Sequence, residues 1–332
     1  MRLSTMLRVD ETVDAEGRSW LAQEILGTWA HDPGSARFFR SSANFVYRFQ
    51  SSGIPHFLRF AEDAERRRAD VVSEMDVVQS LAASGMNVAS PVRSEAGRLV
   101  ETVETTLGTF HAVVLPALEG STLEIEDLDA TGFRAWGAAL GRLHVAMQQL
   151  PDELIGRRRT WRDDLAMADQ HIPAAARALR RELAAITTAL EALPEDAGSS
   201  GLIHFDFELD NLVWRDGDIG ILDFDDCARY SYAADVVFAL SDLFDGRFDA
   251  TDPCYREFLA GYETVRDPGP EWQSAAPAFL RLAELLRHAR VLRALDLSPE
   301  IQPPDWLALL QRKLADRLAA YETTLGLSGR RR

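Results

Sequence analysis

The stretch "GLIHFDFELDNLVW" (Gly201–Trp214), followed after "RDGD" by "IGILDFDD" (Ile219–Asp226), packs His204, Asp206, Glu208, Asp210 and Asn211 against Asp223, Asp225 and Asp226 in very little chain. "NLVW" and "IGILDF" read as two short strands about an Asp-Gly turn, a strong local hairpin signal. Strands paired across a tight turn bring their outer ends together, so Asp206 and Asn211 should lie near Asp223. Such a gathering of acids is either a solvated surface or a site that holds a metal ion and a proton acceptor.

Four residues separate Asp206 from Asn211, the spacing of the H-R-D-x-x-x-x-N loop of protein kinases. In that chemistry the aspartate takes the proton of an attacking hydroxyl and the asparagine oxygen binds a divalent ion. A second aspartate, opening a D-F-x triplet, holds the metal that bridges the nucleotide phosphates; here the triplet is Asp223–Asp225. Hard carbonyl and carboxylate oxygens suit magnesium better than zinc. Taken singly, His204 reads as a core histidine and any one aspartate as a helix cap. The ordered set His204, Asp206, Asn211 and Asp223 across one hairpin favours catalysis. Glu208 and Asp210 read as solvated, with a cationic substrate as the alternative.

These residues resemble the aminoglycoside phosphotransferase and choline kinase-like family, which has a small or apolar residue between the histidine and the aspartate. Phe205 stands there, where glycine is more usual. "LGRLHVAM" (Leu140–Met147) and "YAADVVFAL" (Tyr232–Leu240) also resemble the family's helices beside the site. The resemblance implies an α+β, protein-kinase-like two-lobe fold. A small N-terminal antiparallel sheet lobe with one main helix, residues 1–118, would bind nucleotide. A larger, mostly helical lobe, 119–332, would hold the catalytic loop and the acceptor, with a hinge near Pro116–Gly120.

By the same resemblance Asp206 is the catalytic base, Asn211 and Asp223 are magnesium ligands, and His204 supports the loop. Asp225 assists the metal or caps a turn. Asp235 steadies the loop through hydrogen bonds or caps the following helix. "SSANFVYRF" (Ser41–Phe49) resembles the nucleotide-covering loop, with Ser41, Ser42, Ala43 and Asn44 offering backbone N–H groups to phosphate; it has no glycine, and a plain polar turn is the alternative. Where kinases place a strand lysine, "FLRFAE" has Arg59, whose fork binds phosphate and carboxylate. Glu74, fifteen residues on, is its expected partner. The cofactors implied are ATP, with GTP open, and magnesium. The acceptor is a small-molecule hydroxyl: an aminoglycoside, an amino alcohol such as choline, homoserine or a sugar. A protein serine, or nucleotide binding without turnover, are the competing readings.

Working outward, 332 residues suffice for two lobes, and 46% hydrophobic with 27% charged residues is ordinary for a soluble globular protein. No segment approaches the ~20 apolar residues of a membrane helix. "MRLSTMLRVDETVDAEG" lacks the apolar run of a signal peptide. Two cysteines, Cys227 and Cys254, fit reduced thiols, so the cytoplasm is expected. A net charge of -16 argues against nucleic acid and leaves room for cationic substrates. Lys313 is the single lysine, which leaves Arg59 without a lysine to replace it. The oligomeric state is not written in the sequence.

Period-two runs "FVYRF", "HFLRFA", "RLVETVE" and "FHAVVLPAL" predict strands between 45 and 118, interrupted by a helix over 66–85. Helices are expected over 131–150, 174–193, 231–244, 275–295 and 304–325. Trp161, Asp163 and Asp164 line an acceptor pocket or open a solvated helix; Asp242 and Asp245 have the same two readings.

Overall fold

The computed structural model describes residues 1–244, 246–269 and 272–324; Asp245 lies outside them. The chain divides into two compact units, one of Met1–Ala82, Val88–Leu118 and Arg293–Lys313, the other of Ala83–Asn87, Glu119–Leu292 and the residues after Lys313.

The first unit is built on five antiparallel strands in the order β1-β2-β3-β5-β4: β1 (Arg37–Ser41), β2 (Phe45–Ser51), β3 (Ile54–Glu62), β4 (Glu101–Thr105) and β5 (Gly108–Pro116). In β2 Phe45, Tyr47 and Phe49 alternate inward while Arg48 and Gln50 face out, the period-two pattern of a half-buried strand. Phe45 and Tyr47 stack on Phe60, with centroids 5.4 and 5.7 Å apart, and Phe110 meets Phe60 edge-on. Two short helices, α1 (Leu3–Asp10) and α2 (Trp20–Leu26), add Val9, Leu21, Ile25 and Leu26 to this core; the sequence reading had no helix here. The Ser19 hydroxyl starts α2 by accepting from the Ala22 N–H. The expected long helix is α3 (Arg68–Ala83), which buries Val71, Met75, Val78 and Leu81 and is followed by Gly85 at φ 91°, a left-handed stop that glycine tolerates.

The second unit is mostly helical: α4 (Ala130–Gln148), α5 (Asp152–Gly156), α6 (Trp161–His171), α7 (Arg177–Glu191), then α8 (Tyr232–Ala239), α9 (Pro253–Glu263), α10 (Trp272–Ala294) and α11 (Asp305–Thr324), the last two extending into segments grouped with the first unit. Between α7 and α8 lie two antiparallel pairs. The expected hairpin is β7 (Leu212–Arg215) with β8 (Asp218–Ile221), joined through Asp216 and Gly217, both at positive φ. The other pair was not expected: β6 (Ser200–Ile203) with β9 (Ala228–Ser231). The helix expected over 231–244 stops at Ala239 and a single 3-10 turn follows at Ser241–Leu243.

Helices α4 and α9 meet backbone to backbone. A Cβ at Gly137 would stand 1.9 Å from the Phe258 carbonyl oxygen, and one at Gly261 2.0 Å from that of Arg134. Neither side can yield without moving a helix. We expect Gly137→Ala to lower unfolding free energy by about 1–3 kcal/mol, read by urea denaturation; an unchanged midpoint would mean the helices are less closely apposed.

Candidate active site

The loop that leaves β6 is fixed from beneath by one carboxylate. Asp235, fully buried in α8, accepts the backbone N–H of His204 at 2.8 Å and that of Phe205 at 2.7 Å. It also accepts from His144 Nε2 at 2.9 Å, while His144 Nδ1 lies 2.8 Å from the Tyr262 hydroxyl. Burial holds the His144 pKa below its usual value, opposed by Asp235; a neutral imidazole donating through Nε2 and accepting at Nδ1 satisfies both bonds. The N-cap of α8 is Ser231, whose side chain accepts from the Ala233 N–H, and not Asp235.

His204 is buried and donates from Nε2 to the Leu222 carbonyl at 2.9 Å, with its ring edge-on to Phe224 and Phe207. It ties the loop to the strand end that precedes Asp223. Trp136 of α4 donates to the Phe207 carbonyl at 3.2 Å. Asp206 therefore sits on a loop held at positions 204, 205 and 207.

Asn211 Nδ2 donates to the Asp206 carbonyl at 3.0 Å and to its carboxylate at 2.8 Å. The ladder of β7 and β8 continues one bond further, Leu222 N–H to Asn211 C=O at 2.9 Å, which sets Asp223 beside Asn211. Asp206, Asn211 and Asp223 are brought together. Asp223 has φ 55° and ψ 69°, and Phe205 has φ 77°, both in a region that L side chains rarely occupy. Non-glycine residues held there concentrate at functional sites.

Burial raises the Asp206 pKa, Asp226 and Asp225 add to the effect, and His204 and the Asn211 bond oppose it. Glu208 is pushed up to about 7 by burial and then by Asp206, against the pull of Arg287, whose guanidinium is 3.6 Å away. Glu208 is thus half-buried beside a cation, whereas Asp210 and Asp242 are exposed. The Asp225 side chain is partly exposed, and its carbonyl accepts from Arg158 at 3.0 Å.

In the sheet unit, Arg59 and Glu74 form a buried ion pair at 2.5 Å, and Arg66 reaches the other Glu74 oxygen at 3.3 Å. Ser41 ends β1, opposite Phe45; the Ser42 N–H is spent on the Asn44 carbonyl, and Asn44 is buried. Trp161 is buried and donates to Glu195. Asp163 closes a capping box with Thr160. Asp164 is buried, bonded to Arg159 and to the Tyr230 hydroxyl, whereas Asp163 is exposed in the first turn of α6, the solvated helix start that the sequence offered.

Sequence reasoning gave no role to His144, Trp136, Arg158, Arg159 or Arg290. A lone histidine on the apolar face of "LGRLHVAM" was the one available hint for His144. The arginines carry no local signal at all.

A magnesium site fits the donors present. Asn211 turns its amide nitrogen to Asp206, leaving its hard Oδ1 for another partner, and Asp223 adds a carboxylate. Among the described residues no three His, Cys, Asp or Glu side chains gather as a metal cage. None is needed where one or two protein oxygens act with substrate phosphates.

An antiparallel sheet unit with a long helix, and a helical unit carrying an Asp-x4-Asn loop and an Asp-Phe-Asp turn, define a protein-kinase-like fold. The profile of the phosphotransferase enzyme family matches residues 35–278, and the chain belongs to that family. Amicoumacin kinase of Bacillus subtilis (strain 168) is 24% identical over 285 residues, 83% of this chain and 85% of that protein. The structure of an amicoumacin kinase in complex with AMP-PNP, Ca2+ and Ami superposes with a TM-score of 0.75 at 22% identity, covering 94% of this chain and 95% of that one. A microcompartment-associated aminopropanol kinase gives 0.66 at 22% identity, covering 92% and 97%. No helix among the described residues is long and apolar enough to cross a membrane.

Proposed function

We propose that the protein transfers the γ-phosphoryl group of ATP, with magnesium, to a hydroxyl of a small amine-bearing molecule. The observation that carries this reading is the bonded pair Asp206 and Asn211 beside Asp223, on a loop anchored by Asp235. Asp206 orients the acceptor hydroxyl and takes its proton. Asn211 and Asp223 hold the metal, which when bound neutralises charge on the transferring phosphoryl group. Arg59, aligned by Glu74, binds phosphate oxygens, and the Ser41–Asn44 turn covers them.

Two things support an amine-bearing acceptor. Glu208 places a second carboxylate two residues from Asp206, and one of the solved relatives is an aminopropanol kinase. The test is magnesium-dependent ADP release from ATP against aminoglycosides, small amino alcohols, sugars and a generic protein substrate. Acceptor-stimulated release with the first two groups is the expected result. Stimulation by the protein alone would move the chain to the protein-kinase reading, and ATP binding with no release would favour a nucleotide-binding role.

Arg59→Met should weaken nucleotide binding by about tenfold or more, the worth of a charge-assisted phosphate contact, measured by calorimetry with a non-hydrolysable nucleotide. Arg59→Lys should recover only part of this, because an ammonium cannot fork between Glu74 and phosphate. Wild-type affinity in the methionine variant would remove Arg59 from the site. Asp223→Ala should abolish the dependence of nucleotide affinity on magnesium; an unaltered dependence would count against that ligand.

A further inference from the structure

We propose that Phe205, gripped by Arg159 and Arg290, is a positioning residue for the Asp206 carboxylate. This inference rests on Asp206 being the base. Phe205 immediately precedes Asp206 and holds φ at 77°. Glycine would adopt that angle without strain, so the backbone alone does not account for an aromatic side chain here; the contacts of the ring do.

The Arg159 guanidinium lies 5.0 Å from the Phe205 ring centroid and that of Arg290 5.4 Å, both within cation–π range. Tyr230 and Phe238 pack on the same ring at 5.3 and 4.9 Å. Two guanidinium groups at one ring repel unless anions lie between them. Asp226 supplies the charge: it takes Arg290 through both oxygens, at 2.8 and 3.1 Å, and Arg159 Nη2 at 3.1 Å. Asp164 adds a second carboxylate to Arg159, at 2.8 Å from Nε. The turn carrying Asp226 is fastened in turn, since Arg158 donates to the carbonyls of Cys227 and Asp225.

Phe205 is thus held at two points: its N–H by Asp235 and its ring by the arginines. Together these anchors fix N, Cα and Cβ of Phe205, and so the place and direction from which the chain leaves toward Asp206, while the Asn211 bond to the Asp206 carbonyl limits the rotation about ψ that remains. Misplacing a reacting group by about 1 Å can cost roughly a hundredfold in rate. The clamp therefore acts on kcat and leaves nucleotide binding alone.

The experiment compares Phe205→Leu, Phe205→Gly, Arg290→Lys and the Phe205→Leu/Arg290→Lys double variant with wild type and Asp206→Asn, all per folded molecule. Each single variant should lower kcat by about tenfold to a hundredfold with KM for ATP within about threefold. The double variant should lose little more than the worse single, because both break one device. Phe205→Gly is decisive, as it relieves the backbone while deleting the ring. Hydrogen exchange of the amides at 203–211 should speed up in every clamp variant. Full kcat in Phe205→Gly and Arg290→Lys, with Asp206→Asn silent, would overturn the clamp and leave the proposed function standing; so would losses that simply follow the folded fraction. Should Asp206→Asn keep wild-type turnover, the base assignment itself fails, and the exchange data judge the clamp: unchanged protection at 203–211 overturns it.

Discussion

Asp206→Asn should reduce turnover by about 10²–10⁴-fold, the range for loss of a positioned general base, while leaving nucleotide affinity close to wild type. The amide is isosteric and can still accept from Asn211 Nδ2 through its oxygen, so the loop should keep its shape. Its stability should move the other way from its activity. Burial and the neighbouring Asp226 and Asp225 raise the Asp206 pKa above the ordinary aspartate value. A carboxyl with a raised folded-state pKa contributes stability below its unfolded value and loses it as pH rises through the folded one. At neutral pH without metal, ionisation of Asp206 opposes folding, so the neutral variant should melt at or above the wild-type temperature, with the gap widening from pH 4 upward. A variant that turned over normally, or melted well below wild type throughout, would defeat this account.

Asp235→Ala should be the most damaging single substitution for stability. It deletes a carboxylate with no exposed surface and strands three buried donors: the N–H groups of His204 and Phe205, and His144 Nε2. Breaking a buried charged partnership of this kind costs about 3–5 kcal/mol, a large part of the ~5–15 kcal/mol of a typical domain. Asp235→Asn should be milder, since one oxygen can still accept, although its NH2 then faces a donor. Urea denaturation is the check, and a loss under about 1 kcal/mol for the alanine variant would mean that solvent reaches the donors. The same network sets an acid limit. His144 has its pKa lowered by burial from 6.5, so its contribution is complete above that value and fades as pH falls through the folded pKa. Stability should therefore drop on acidification below about pH 6.5, with His144→Gln, which cannot titrate, losing that part of the slope.

What could be read from the sequence was local. The β7–β8 hairpin declared itself through Asp216-Gly217 between apolar runs, and the hairpin alone placed Asp206 and Asn211 near Asp223. The alternation in β2 and the three- and four-residue spacing in α3 likewise sit within single elements. The partners that hold the site were hidden because they are distant in sequence: His144 is 91 residues from Asp235, and Arg290 comes from another helix again. Strand β9 escaped notice because four residues, "ARYS", carry no period. Helix α1 is legible in principle, since Leu3, Met6 and Val9 recur at three-residue intervals, but over eight residues so short a period does not stand out from the polar residues around it.

The bare contact between α4 and α9 is also a datum surface. Position errors accumulate along a chain of supports, and here the chain runs from Gly137 and Gly261 along α4 to His144, on to Asp235, and then to the loop before Asp206. With glycine on both sides there is no flexible side chain in the first joint to absorb play. The tolerance of the site is therefore set some way from it. Warming that slackens the α4–α9 joint should misalign Asp206 while most helices persist, so activity should decay at a lower temperature than the circular dichroism signal.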